Sequence, residues 1–345
     1  MNEFARRPAR ERAEVFEEAS ARRGIGRAAI VEKDFWVCWT LVQLYGHDGP
    51  SDARNQEPAL LFKGGTSLSK AYGLIDRFSE DVDLTVDRRL LVAREENPDA
   101  RGISNRERKR RIEIVGVRCA TYVRETIAPF LRSCEIEWSH GNLEIDPDEP
   151  QTLHLDYPRA LPDSSYGGSA YVNAKIRLEF GARGELWPAE RGYVTPYAAE
   201  EFPALFTDPT TPVWVLSPRR TFWEKATILH AIASSGRIGG GERQSRHYAD
   251  LVRIANAPVG SEAIDDIELL LDVAEHKATY FPSPKARYEL AKPGTLRLVP
   301  PNKLLAELEN DYERMQEMFI ATPATFAKIL EDITTLEQRI NGEGA

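Results

Sequence analysis

Cysteine is scarce in this chain: Cys38, Cys119 and Cys134 are the only three among 345 residues. An odd, scattered set excludes a disulfide framework, and none of the three has metal-ligand spacing. The six histidines form no paired metal motif. Long apolar runs are absent as well, so no segment approaches the ~20 residues of a membrane span. The opening stretch, Met1 to Pro8, lacks the apolar centre of a signal peptide. The expectation is a cytoplasmic protein with no membrane partner. There is no Walker phosphate loop, because no Gly-x-x-x-x-Gly-Lys-Ser/Thr run occurs. Neither an internal repeat nor a coiled-coil pattern is present. Excess positive charge is missing too: 45 Lys and Arg against 54 Asp and Glu leave a net charge of −9. The chain as a whole therefore lacks the electrostatic footprint of a nucleic-acid binder.

What is present is the composition of a water-soluble globular chain, 42% apolar and 29% charged, long enough for one large domain or two ordinary ones. One stretch, Phe62 to Val86, organises the reading. Ala59 to Phe62 reads as the end of a strand. Gly64 and Gly65 then permit a sharp turn. Thr66 to Leu74 has helical spacing. Ser79 to Val86 alternates, placing Ser79, Asp81, Asp83 and Thr85 on one strand face and Val82, Leu84 and Val86 on the other. Carboxylates at i and i+2 on one face repel, which is costly unless a cation lies between them. The pattern reads as a Mg²⁺ site opposite a glycine turn that holds a nucleotide phosphate. The bland alternative is a solvated strand face, which two strand-weakening acids beside a Gly-Gly turn disfavour.

The rest of the chain supplies a frame. Residues 5–22 read as a solvated helix and Ile25 to Tyr45 as a buried one, interrupted near its start by Glu32, Lys33 and Asp34. Asn105 to Leu131 reads as a long amphipathic helix whose first turns are basic. Arg106, Lys109 and Arg110 there are either a solvated face or contacts to an RNA backbone, a local patch being effective because screening limits distant charge to about 10 Å. Glu135 to Trp138, Thr152 to Tyr157 and Ala170 to Phe180 alternate as strands. On the last, Glu179 is either a third metal carboxylate or part of an exposed edge face. Residues 181–213, rich in Gly, Pro and Glu, mark a boundary. From Ser217, a suitable N-cap with Pro218 after it, the pattern is helical. Lys225 lies among apolar neighbours, an unusual place for a purely structural lysine. The glycine-rich segment Ser234 to Ser245 reads as a mobile loop. His247 and Asp250 follow at helical spacing. The segment 281–301 is expected to fold back as a loop, and helices are expected at about 302–319 and 323–341. The fold class is α+β, with a mixed-sheet lobe over 1–212 and a helical lobe over 213–345.

Strand end, Gly-Gly turn, helix and Asp-x-Asp strand, in that order, are specific for nucleotidyltransferases with a DNA-polymerase-β-like core. Phe62-Lys-Gly-Gly-Thr-Ser-Leu-Ser-Lys70, Arg77-Phe-Ser-Glu-Asp-Val-Asp-Leu84, Trp223-Glu-Lys225 and His247-Tyr-Ala-Asp250-Leu resemble the AbiEii/AbiGii-type toxin nucleotidyltransferases, which include the MenT toxins of toxin–antitoxin and phage-defence systems. The resemblance covers roughly residues 30–255 and keeps the family's motif order. It implies a bilobed protein with its active site in the groove between lobes. It also implies Mg²⁺-dependent transfer of NMP from an NTP with release of pyrophosphate. Characterised relatives modify the 3′ end of tRNA and so block translation. Carried over motif by motif, Ser79, Asp81 and Asp83 fall on the metal and nucleotide strand. Lys63, Gly64, Gly65 and Thr66 fall on the phosphate turn. Lys225 falls on the phosphate-contacting lysine and Asp250 on the late catalytic aspartate, which orients groups or acts as a base. An RNA acceptor, with tRNA first in line, and a cognate antitoxin are the implied partners. Two other readings stay open: transfer to a protein or small-molecule acceptor, and a non-catalytic nucleotide-binding interaction module.

Overall fold

A computed structural model describes residues 1–52, 57–79, 81–134, 143–166, 175–239 and 243–342. The chain forms two compact units, Met1–Tyr72 with Phe78–Leu216, and Gly73–Arg77 with Ser217–Ala345. The first closes after Leu216, where the sequence pattern suggested residue 212. The reason is the strand Thr211–Leu216, which pairs in parallel with the strand Leu60–Lys63 and so belongs to the sheet.

The first unit is built on a mixed seven-stranded sheet. Its strands are β1 Leu60–Lys63, β2 Asp81–Val86, β3 Leu143–Ile145, β4 Thr152–Asp156, β5 Lys175–Gly181, β6 Ala189–Val194 and β7 Thr211–Leu216, in the order β3-β4-β5-β2-β1-β7-β6. The expected strand at Glu135 to Trp138 lies outside the described residues, as do residues 170–174 of the Ala170 to Phe180 strand. Strand β6 arises inside the stretch that reads as a boundary. Its register against β7 runs from Ala189 opposite Leu216 to Val194 opposite Thr211. Alternation holds where it was expected: Val82, Leu84, Val86, Ile176, Leu178 and Phe180 are all buried.

The buried helix is Ala28–Tyr45, packed on β5 and β7 and on the helix Ala9–Arg23. Its apolar residues are buried almost all round, as for a helix enclosed on every side. Phe4, Phe16, Phe35 and Phe206 form an aromatic cluster at one end, with Phe4 and Phe35 ring centroids 5.1 Å apart. The charged interruption is also buried, and most of it is satisfied pair by pair. Glu32 accepts from the Ala160 and Leu161 amides at 2.6 and 3.3 Å and from the Tyr166 hydroxyl. Asp34 pairs with Lys70 Nζ at 2.7 Å and accepts from the Tyr197 amide at 2.7 Å. Such pairs survive burial because each lone pair is matched.

The helix that starts at Asn105 runs to Tyr122, continues through a π turn at Val123–Ile127 and ends with Ala128–Ser133. Ser104 caps it, accepting from the Glu107 amide at 3.2 Å.

The second unit is helical. Pro218–Ser235, Arg246–Asn256, Pro258–Asp265, Ile267–Tyr280, Leu305–Arg314 and Phe326–Asn341 are its longer helices. Asp266 separates Pro258–Asp265 from Ile267–Tyr280, because its side chain caps a new start by accepting from the Leu269 amide at 3.1 Å. Ser217 occupies the N-cap position of its helix but makes no side-chain cap bond. The 281–301 segment does fold back. Buried His230 joins it at both nitrogens: Nε2 lies 3.1 Å from the Arg287 carbonyl, and Nδ1 accepts from the Arg297 amide at 3.0 Å. Asp311 fixes the C-terminal side of the glycine-rich loop, accepting from the amides of Arg243 and Ser245, each at 2.8 Å. Gly240 and Gly241 lie outside the described residues.

Candidate active site

The acidic row of the first unit is a product of strand register. In the antiparallel pair β1–β2, Lys63 stands opposite Asp83. In the parallel pair β2–β5, Asp81 stands opposite Arg177 and Asp83 opposite Glu179. Paired residues project to the same side of a sheet, so Lys63, Asp81, Asp83, Arg177 and Glu179 share one face. Glu179 therefore stands beside Asp83, on a central strand rather than an edge one. Like charges directly opposite one another destabilise a sheet. The effect is visible at Glu179, half-buried, whose carboxyl is pushed up to about 7, first by burial and then by the charge of Asp83. Arg177 opposes that rise. It pairs with Glu179 at 3.2 Å and with Glu149.

The glycine turn is built against this row. Gly64 has φ +79°, a backbone region costly to any residue with a Cβ. A Cβ there would also stand 1.9 Å from Oδ2 of Asp83. The carboxylate thus lies directly on the turn, which explains why the first glycine and the second aspartate occur together. Gly65 and Thr66 enter the short helix Gly64–Lys70. The Thr66 hydroxyl is engaged with protein: it donates to the carbonyl of Ser79 at 3.2 Å and contacts that of Asp81. It ties the helix to the start of β2. Ser79 is buried beside that start. At the other end of the helix, Lys70 is held by Asp34. The Glu32-Lys33-Asp34 interruption thus contributes to fixing the turn, a role its sequence marked only as an anomaly.

All three carboxylates offer hard oxygen ligands, the donor chemistry Mg²⁺ takes. Among the described residues, however, no three His, Cys, Asp or Glu side chains converge as a ready cation cage. Glu179 is turned to Arg177 instead.

The second unit carries a different arrangement. Arg77 donates from Nε and Nη2 to the two oxygens of Asp250, both at 2.8 Å. Lys225 Nζ donates to Oδ2 of the same carboxylate at 2.7 Å. The Arg77 and Asp250 side chains are 2% and 1% exposed, so this is a buried cation–anion–cation cluster. Burial alone would raise the Asp250 carboxyl, but Arg77 and then Lys225 outweigh it and hold it far below the usual carboxylate range. A carboxylate so saturated is a poor proton acceptor and a good anchor. Of the two roles open to Asp250, orienting groups fits this geometry better than acting as a base. The Lys225 ammonium is pushed down by burial and by Arg77, against the pull of Asp250. With one N–H given to Asp250, two of its three donors remain for other partners. The residue that sequence reasoning passed over is Arg77. It sits inside a quoted motif, yet only folding reveals its partner 173 positions away.

The basic run sits on the Asn105–Tyr122 helix. Arg106, Lys109 and Arg110 are exposed, and their spacing puts them on one side of it. Arg110 and Arg111 both pair with Glu107, at 2.7 and 2.8 Å, so part of the cluster is neutralised by its own helix.

Comparison with known proteins follows the same lines. A family model described as nucleotidyl transferase AbiEii toxin, type IV TA system, matches residues 51–332. Among solved structures, the chain is similar to MenT4, a nucleotidyltransferase toxin from Mycobacterium tuberculosis H37Rv. The two are 16% identical with a TM-score of 0.37, over 88% of this chain and 98% of that one. No curated protein matches.

Proposed function

We propose that this chain, which belongs to the AbiEii nucleotidyl transferase toxin family, transfers NMP from an NTP to the 3′ end of an RNA, with tRNA as the acceptor that blocks translation. The observation that carries the reading is the contact between Gly64 and the Asp83 carboxylate, on the sheet face that also bears Asp81 and Glu179. A nucleotidyl transfer needs carboxylates and a phosphate-binding turn, and this face offers both.

Asp81 and Asp83, with Glu179 beside them, are the residues that would hold Mg²⁺. The ion, when bound, supplies charge neutralisation at the triphosphate and at the acceptor hydroxyl. Gly64, Gly65 and Thr66 are the residues proposed for the phosphate turn, with Lys63 before them in sequence and Ser79 tied to the turn through the Thr66 hydroxyl. Lys225 offers its remaining N–H donors to phosphate oxygens, and Asp250 with Arg77 fixes its head group. The acceptor hydroxyl gives its proton to solvent and its oxygen forms a bond to the α-phosphorus, the bond from that phosphorus to the oxygen bridging to the β-phosphate breaks, and pyrophosphate leaves. Arg106, Lys109 and Arg110 are proposed contacts to the RNA backbone, Arg106 and Lys109 ahead of Arg110 because Glu107 already engages the last. A cognate antitoxin restrains the activity in the cell. No helix among the described residues is long and apolar enough to cross a membrane.

The test is label transfer from α-labelled NTP to cellular RNA, followed by sequencing of RNA 3′ ends. Asp81→Ala is expected to lower transfer by about 10³-fold or more, the loss of several kcal/mol of charge stabilisation. Full activity in that variant would sink the metal assignment. Label appearing in protein instead of RNA would replace the acceptor.

A further inference from the structure

One polar atom near the Arg77–Asp250–Lys225 cluster has no task in the fold. Nδ1 of His247 is buried and has no hydrogen-bond partner among the described residues. His247 precedes Asp250 by three positions in the helix Arg246–Asn256, so the two side chains lie on neighbouring parts of one helix face. Buried polar atoms in native proteins are nearly always paired, and an orphaned one calls for a partner from outside the fold, whether water, ion or ligand.

The surrounding charge decides which kind of ligand. Lys225, Arg246 and Arg77 all act on His247 as cations, and Asp250 as the opposing anion. Three positive groups against one negative leave the cluster two charges positive. A divalent cation seeking an imidazole ligand would be repelled there. An oxyanion would be attracted, and it needs donors rather than acceptors. Lys225 keeps two N–H groups, Arg246 carries a guanidinium fork, and a neutral imidazole with its proton on Nδ1 adds a directed donor. Lys225, Arg246 and His247 lie near enough to act on one another, and a site two charges positive suits a phosphate group better than a carboxylate.

We propose that His247 donates from Nδ1–H to a phosphate oxygen of the bound nucleotide, alongside Lys225 and Arg246. This rests on the reading of the protein as an NTP-dependent nucleotidyltransferase, and it names a residue that the phosphate turn and the lysine do not include. His247 is kept neutral by its burial and then by the positive charge of Lys225 and Arg246. It therefore serves as a fixed hydrogen-bond donor and not as a further cation. Asp250 and Arg77 act on the phosphate only through the Lys225 head group, and are positioning residues.

The experiment is calorimetric binding of inorganic tripolyphosphate to the full chain in EDTA, which removes any contribution from the carboxylate face. His247→Ala is expected to weaken binding about tenfold, the scale of one hydrogen bond to a charged partner. His247→Asn, whose amide nitrogen falls close to the place of Nδ1, is expected to stay within about threefold of wild type. A merely structural role would move both variants together, or neither. Wild-type binding by His247→Ala overturns the proposal. Should that variant melt early, long-range ¹H–¹⁵N spectra of the wild-type imidazole decide: Nδ1 must carry the proton in the tripolyphosphate complex, and an unprotonated Nδ1 there overturns it. If binding depends on His247 while the wild type transfers no nucleotide, the phosphate site stands and the nucleotidyltransferase reading falls. If transfer occurs but binding ignores His247, the reverse holds.

Discussion

The two groups of charged residues in this protein solve opposite electrostatic problems. On the sheet face, Asp81, Asp83 and Glu179 are gathered by register into a row of like charge, and Arg177 offsets only part of it. In the helical unit, Arg77, Asp250 and Lys225 are buried as a closed set in which every oxygen of the anion is bonded. The first arrangement sets carboxylates side by side and offers oxygen ligands. The second is already satisfied, and it presents the outer donors of Lys225 at a defined place. Residues that look alike in sequence, an aspartate in a motif, thus differ in kind: Asp83 stands in a row of carboxylates on a sheet face, and Asp250 is held between two cations.

That contrast can be broken most sharply by removing one carboxylate from each group. Asp250→Asn leaves Arg77 and Lys225 as buried cations without their counter-charge, and is expected to destabilise by about 3–5 kcal/mol in urea unfolding. Asp83→Asn relieves a repulsion instead, and is expected to leave stability unchanged or raise it by less than ~1 kcal/mol. Equal losses in both variants would erase the distinction.

A smaller effect is expected from Gly64→Ala. Left-handed backbone at that position should cost about 1–2 kcal/mol, and the new Cβ must push the Asp83 carboxylate off the turn. Transfer activity should fall further than the stability loss alone accounts for. An active Gly64→Ala enzyme with ordinary metal dependence would show that the contact is incidental.

The smallest effect is a pH dependence. The folded state raises the Glu179 carboxyl from 4.5 to about 7, so it binds that proton more tightly than the unfolded chain does. The resulting stability is present below the unfolded value and is lost as pH rises through about 7. Because the side chain is half-exposed, solvent screening should keep the amplitude below ~1 kcal/mol. Glu179→Gln is expected to flatten this slope in metal-free protein between pH 5 and 8. An unaltered profile would mean that neither burial nor the charge of Asp83 raises the Glu179 carboxyl.

Much of the acidic half was legible because its signals are local. Alternation along Ser79 to Val86 and along Ala170 to Phe180 assigns faces without any knowledge of partners, and Gly-Gly before a helix marks a turn. Strands β6 and β7 were not legible. The Gly, Pro and Glu residues spread through 181–213 resemble a linker, and only pairing with β1 and β6 turns Thr211–Leu216 into a sheet strand. Lys225 was conspicuous as a lysine among apolar residues. Arg77, which shares Asp250 with it, and the buried Asp34–Lys70 pair behind the glycine turn were not, because an ion pair between distant positions leaves no periodic trace.

The sequence by itself determined the chemistry on offer: two aspartates on one strand face, a glycine turn before a helix, a misplaced lysine and a late aspartate. It did so through periods of 2 and 3.6 residues, which are properties of the local backbone. The tertiary structure alone decided what each group faces. Register set Glu179 beside Asp83 and Arg177 beside Asp81. Folding of the Gly73–Arg77 segment with the helical unit brought Arg77 to Asp250 and Lys225. Charge is written in the chain, but the sign of its effect depends on neighbours, and neighbours are fixed only when strands pair and helices pack.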